Sequence, residues 1–265
     1  SVLYTRRMEH PRLPDRSKRV EGAEKIESWH VAEAFSEARD SVKGSEDAYL
    51  VSDHCIAVFD GVSRNGTKYD GVTPGQFAVQ TVRDAFANNT SLRADDAARV
   101  ATETLRVAAA KKKIAQAALV FIAFFPKENR IVRVGDCSFL IDGTGHNPGI
   151  VPDRAKAELR RRIVERALEN GLTEDEMFAD DPARGRMSDL RVWQETHANN
   201  PDAPDFGYGV VNGDDIPEKF VEHISVPEGT QTIILASDGY PTQALRNSLE
   251  ETERELKAIE RTDPL

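Results

Sequence analysis

The chain has 265 residues, 39% of them hydrophobic and 30% charged, enough for one large globular domain or two small ones with a sizeable core. Its 45 acidic residues against 35 basic ones give a net charge of −10, which argues against nucleic acid as the main partner. No apolar run approaches the roughly 20 residues of a membrane helix, and no signal-like stretch opens the chain, so a cytoplasmic protein without a membrane partner is expected.

In the segment 1–22, residues 1–20 hold six basic side chains (Arg6, Arg7, Arg12, Arg16, Lys18, Arg19) against Glu9 and Asp15. The segment reads as a solvated, mobile terminus ahead of a domain spanning 23–265. Lys25 to Ala34 alternates apolar and polar residues and predicts a strand. Ala48 to Ser52 and His54 to Phe59 predict two more. Residues 62–72 are polar and glycine-bearing, a loop. Thr73 then offers a helix cap and Pro74 a first-turn proline. Phe77, Val79, Val82, Ala85 and Phe86 form the apolar stripe of that helix, and a second helix runs from about Ala94 to Lys113.

Strands return at 117–125, 130–134 and 138–141. Their short connections predict three consecutive antiparallel strands. Cys55 and Cys137 lie inside apolar runs and read as small buried residues rather than a disulfide or metal pair. Residues 146–204 are charged and mostly helical, with candidates at 154–169 and 187–197, and suggest an inserted flap over the sheet. On its helix, Arg160, Arg161 and Arg162 read as a solvated face, with a docking patch for phosphoproteins as the second reading. Strands resume at 208–211, 220–226 and 232–236, and a charged helix covers 243–261. Short strand connections and paired helices predict a layered α+β protein rather than a doubly wound parallel sheet. No Gly-rich nucleotide loop of either standard pattern is present.

Three acidic motifs stand out: Ser45-Glu46-Asp47-Ala48, Phe59-Asp60-Gly61-Val62 and Ala236-Ser237-Asp238-Gly239. The second and third follow apolar strands. A strand that ends in Asp-Gly places a carboxylate at a sheet's mouth, and the glycine lets the backbone turn close to a ligand. Convergent carboxylates repel one another and raise each other's pKa, so they call for a cation. All-oxygen ligands suit Mg²⁺ or Mn²⁺.

With Val134-Gly135-Asp136-Cys137-Ser138 added, these motifs resemble, in order and approximate spacing, those of the metal-dependent (type 2C) serine/threonine protein phosphatases. The likeness spans about residues 25–262. It implies a four-layer α-β-β-α sandwich of two mainly antiparallel sheets flanked by helix pairs, with a two-metal Mg²⁺ or Mn²⁺ site at one end. By the resemblance, Asp60 bridges both metals, the Gly61 carbonyl binds one and Asp238 the other. Glu46 and Asp47 hold metal-bound waters, and Asp136 is a further metal candidate. The implied reaction is hydrolysis of phosphoserine or phosphothreonine in a phosphoprotein by a metal-activated water, with Asp60 and Asp238 as its catalytic carboxylates.

The chain departs from the family pattern in four places. A final strand ending in Asp-Asn or Asp-Asp is missing up to Leu265. Val42 stands where the family has a phosphate-binding Arg, leaving Lys43 or Arg39 to bind substrate. Thr242 replaces a further Asp, and Ser138 an Arg. Two alternatives therefore stay open: a catalytically impaired phosphatase-like binding or regulatory module, and a phosphoesterase acting on a small phosphorylated molecule.

Overall fold

The computed structural model describes residues 2–7, 25–26, 29–35, 45–62, 68–146, 151–203, 205–238, 245–246 and 248–262. Two sheets carry the fold. One has the order β2 (Lys25–Ile26), β3 (Trp29–Phe35), β1 (Val2–Arg7), β11 (Thr232–Ala236), β8 (Ser138–Ile141), β9 (Thr144–His146). The other runs β10 (Val221–Ser225), β7 (Arg130–Val134), β6 (Ala118–Phe125), β5 (Ile56–Val62), β4 (Ala48–Val51). Every pairing between these strands is antiparallel.

Side chains on a strand alternate between its faces, and this period sorts the core. Ile56 and Val58 of β5 join Leu3, Val31, Ile122, Phe124, Phe139, Ile233 and Leu235 in one buried cluster, which takes side chains from both sheets. Trp29 meets Phe124 edge-on across it, with centroids 5.1 Å apart. The alternate residues Cys55, Ala57 and Phe59 join a second cluster with α1 (Pro74–Asn88) and α2 (Ala97–Lys112). Phe59, Phe86 and Phe121 pack their rings there at 5.5–6.3 Å. On the far face of the other sheet, Val2, Leu140, Ile234, Ala236 and Leu245 form a third cluster, against which Leu256 of α6 (Leu249–Thr262) packs. The result is an α-β-β-α layering, as the resemblance of the motifs implies.

α1 begins where Thr73 and Pro74 predict. Thr73 accepts from the Gln76 amide at 3.1 Å, and the Gln76 side chain accepts from the Thr73 amide at 3.0 Å. This reciprocal box satisfies two amides that the helix start would otherwise leave unpaired. The second predicted helix opens with a 3₁₀ turn, Ala94–Asp96, before α2.

Three sequence expectations are corrected. The basic terminus expected over 1–22 does not stand apart as a whole, because Val2–Arg7 is β1, an interior strand between β3 and β11. Val2, Leu3 and Thr5 are fully buried, so their packing outweighs the charge of Arg6 and Arg7. Residues 8–24 lie outside the described residues. Second, the three strands at 117–141 are not one meander. β6 pairs with β7, but β8 pairs with β11 in the opposite sheet. The chain changes sheet at Gly135, whose φ of +91° is open to glycine and costly for other residues. Third, the strand expected at 208–211 reduces to single bridges, Ala198 to Tyr208 and Leu119 to Val211.

The helical insertion comprises α3 (Val151–Glu169), α4 (Glu174–Ala179) and α5 (Arg184–Glu195). Arg160 binds Asp181 at 2.6 Å, tying α3 to the start of α5. Arg161 and Arg162 pair with Glu158, and Arg161 also pairs with Glu165. Those hydrogen bonds hold the Glu158 carboxyl down to about 2. The three arginines thus have intramolecular partners, in keeping with the solvated face.

Candidate active site

Asp60 continues the β5 face that carries Ile56 and Val58 into the core between the sheets. Where the alternation calls for another apolar residue, the chain places a carboxylate at the sandwich's mouth. Phe59, locked among Phe86 and Phe121, fixes its position. Asp47 directly precedes Ala48, whose partner is Phe59, so Asp47 lies beside Asp60 of the neighbouring strand. Asp238 follows β11 by two residues, and its backbone N–H donates to Asp60 Oδ2 at 3.4 Å. The Asp238 carboxyl is also close enough for its charge to act on Asp60. Asp136 arrives from the Gly135 crossing, close enough for its charge to act on Asp60.

The electrostatics follow from this crowding. The half-buried Asp60 carboxyl is pushed well above the usual carboxylate range. Desolvation comes first, then the charges of Asp238, Asp47 and Asp136. Cys137 is fully buried beside them, and burial together with the charges of Asp60, Asp136, Asp238 and Asp47 holds its thiol protonated. The mouth therefore presents oxygen donors and no thiolate.

Two glycines let these groups meet. A Cβ on Gly61 would lie 2.6 Å from the Glu46 carbonyl oxygen, so β5 and the Glu46 backbone approach this closely only because residue 61 has no side chain. A Cβ on Gly135 would lie 2.3 Å from Val120 Cγ1.

Of the expected metal and catalytic residues, the structure brings Asp60, Asp238, Asp47, Asp136 and Gly61 to one end of the sandwich. The Glu46 side chain is engaged by the α1 cap, where the Thr73 hydroxyl donates to Glu46 Oε1. Lys43 and Arg39 lie outside the described residues. Among the described residues, no three His, Cys, Asp or Glu side chains gather closely enough to hold a metal ion.

Sequence reasoning missed a residue inside its own motif. The Ser237 hydroxyl donates to Asp47 Oδ2 at 2.7 Å, joining the ends of the two sheets, and the Asp47 amide in turn donates to Ser45 Oγ at 3.0 Å. The signal was the alternation Ile233, Leu235, Ser237, which aims the hydroxyl between the sheets. A groove of about 610 Å³ between α2 and β10 is separate from these carboxylates. Its Asp95 and Glu103 are paired with Arg130 and Arg99.

No family model matches the chain, and no curated protein does. Several solved structures are similar to it. The Mycobacterium tuberculosis serine/threonine phosphatase PstP/Ppp is 15% identical, with a TM-score of 0.46 over 82% of this chain and 86% of that one. The Staphylococcus aureus serine/threonine phosphatase Stp1 is 14% identical, with a TM-score of 0.47 over 85% of each chain. The PstP catalytic domain in complex with two manganese ions is 14% identical, with a TM-score of 0.45 over 98% of this chain and 93% of that one. Among the described residues, no helix is long and apolar enough to cross a membrane.

Proposed function

We propose that the chain is a metal-dependent phosphohydrolase acting on phosphoserine or phosphothreonine in proteins. The observation that carries this reading is the placing of Asp60, Asp238, Asp47 and Asp136 at the sandwich's mouth, with the Asp60 carboxyl pushed well up by burial first and then by the charges of the others. Evenly crowded carboxylates are unfavourable unless a cation balances them. Their donors are oxygens, and the neighbouring thiol is kept protonated, which fits Mg²⁺ or Mn²⁺.

In this reading the Asp60 carboxylate, the Gly61 carbonyl and the Asp238 carboxylate would hold the cations. Bound there, such cations supply Lewis acidity to a phosphoryl oxygen and lower the pKa of water near neutral pH. The chain's own groups do the rest. Asp47, Asp136 and Glu46 accept hydrogen bonds from water and orient it. The apolar layer beneath, Val58 and Leu235 among it, keeps bulk water from entering below the carboxylates. Asp238 is exposed at the rim, which suits a phosphate presented on another protein's surface. Lys43 or Arg39 is proposed to meet that phosphate.

The test measures Mn²⁺ binding by calorimetry, together with Mn²⁺-dependent release of phosphate from a phosphothreonine peptide and from an aryl phosphate. Binding with peptide turnover is expected. Failure to bind Mn²⁺ overturns the proposal. Turnover of the aryl phosphate alone favours a small-molecule phosphoesterase, and binding without turnover of either favours a binding module.

A further inference from the structure

We infer that Ser237 is a positioning residue that holds Asp47 in the carboxylate group across the gap between the two sheets; this rests on the metal reading above. Ser237 is fully buried, and its hydroxyl donates at 2.7 Å to a carboxylate oxygen. A buried serine needs some acceptor, and a nearby backbone carbonyl is the ordinary choice. Here the acceptor belongs to Asp47, 190 residues away and at the end of the opposite sheet. The bond is charge-assisted, and so stronger and more orienting than one between neutral groups.

Position and neighbours point the same way. Ile233 and Leu235 face the core between the sheets, and Ser237 is the next residue of that stripe, placing its hydroxyl at the sandwich's open end. The next residue in sequence is Asp238, whose amide reaches Asp60. Two consecutive residues at the end of β11 thus grip two carboxylates of the other sheet, Asp47 through a side chain and Asp60 through the backbone. Asp47 is held from the other side by its own amide, on Ser45 Oγ. Asp47 is therefore placed by the joint between the sheets and not by β4 alone. Groups around a metal are commonly oriented by such outer partners, whose loss weakens metal binding about 10–100-fold.

The experiment compares Mn²⁺ dissociation constants by calorimetry for the unaltered chain, Ser237→Ala, Asp47→Asn and the double variant, with melting in EDTA as the fold control. Ser237→Ala is expected to weaken Mn²⁺ about tenfold or more. In the Asp47→Asn background it is expected to add nothing, because its effect passes through that carboxylate. A purely structural serine would lower the melting temperature in EDTA and leave the Mn²⁺ constant unchanged, which overturns the inference. So does an equal loss in both backgrounds. If Ser237→Ala does not melt cooperatively, Ser237→Cys keeps the volume, weakens the donor and carries the same comparison. Absence of Mn²⁺ binding by the unaltered chain overturns the metal reading together with this inference. Intact binding that Ser237→Ala leaves unweakened overturns this inference alone.

Discussion

The backbone amide of Asp238 donates to the carboxylate of Asp60 across 178 residues of sequence, at 3.4 Å. Asp60 lies in β5 of one sheet and Asp238 just past β11 of the other, so their contact depends on the packing of one sheet over the other. Asp60 also feels Asp47 and Asp136, and its carboxyl is pushed well above the usual range.

That shift sets a pH dependence for the metal-free protein. Below the ordinary carboxylate range, the Asp60 carboxyl is protonated in both folded and unfolded states. Above it, the unfolded chain gives up a proton that the folded chain keeps, so stability falls as pH rises until the folded carboxyl ionises. Asp60→Asn is expected to flatten this slope and raise the melting temperature in EDTA at neutral pH, while abolishing Mn²⁺ binding. Each 1 kcal/mol gained corresponds to about 2–4 °C for a chain near this size. Melting curves from pH 4 to 8 in EDTA check the first effect and calorimetry the second. An unchanged Mn²⁺ affinity would remove Asp60 from the site.

Gly135→Ala is expected to be strongly destabilising for two separate reasons. The φ of +91° costs about 1–3 kcal/mol for a residue with a Cβ. The new Cβ would also meet Val120 Cγ1 at 2.3 Å. Pairing it with Val120→Ala removes the Cγ1 contact but leaves the Val120 Cβ, 2.5 Å from the new Cβ, and the backbone strain, so the double variant should recover only part of the loss expected from the two single changes added together. Urea unfolding of the four proteins in this cycle measures the recovery.

Thr73→Ala removes both the helix cap and the hydroxyl held by Glu46. A loss of about 0.5–2 kcal/mol is expected from the cap. Thr73→Ser keeps the hydroxyl and should lose much less. Denaturant midpoints for both variants check this. Equal losses would assign the effect to the missing methyl group.

Much of this architecture is written in local patterns. β6 and β11 are apolar runs bounded by turns, and α1 carries its own cap, so each lies close to its predicted span. Asp60 and Asp238 are legible because each closes an apolar run and precedes a glycine, although β5 itself continues through Val62. What the pattern hides depends on distant partners. The short connection from β7 to β8 resembles a hairpin, yet the turn at Gly135 carries the chain to the other sheet. Ser237 looks like an ordinary small residue until Asp47 is brought to it. β1 holds a short apolar pattern beside Arg6 and Arg7, and only its two neighbouring strands reveal it.

Leu3→Asp tests that strand. Leu3 is fully buried between the sheets, opposite Leu235 of β11. An unpaired carboxylate there is expected to destabilise the protein by more than about 3 kcal/mol. Hydrogen exchange should show lost protection in β11 and β3 as well as in β1. Loss confined to residues 2–7 would mean that the sheet closes without them.

The place of β1 also governs the order in which the molecule can assemble. Thr5 donates to the Ile233 carbonyl, a partner 228 residues along the chain. The half of the sandwich that bears Asp238 therefore stays divided until residues 232–236 have been synthesised and have returned to residues 2–7. Until then β1, on the side away from β3, and β11 each expose an edge of unpaired amides and carbonyls, a template for pairing with other chains. Contacts this remote in sequence form slowly, because the loop entropy is lost before the pairing is gained. The carboxylate mouth is thus among the last parts of the chain to take shape, and the newly made protein is most open to aggregation just before it.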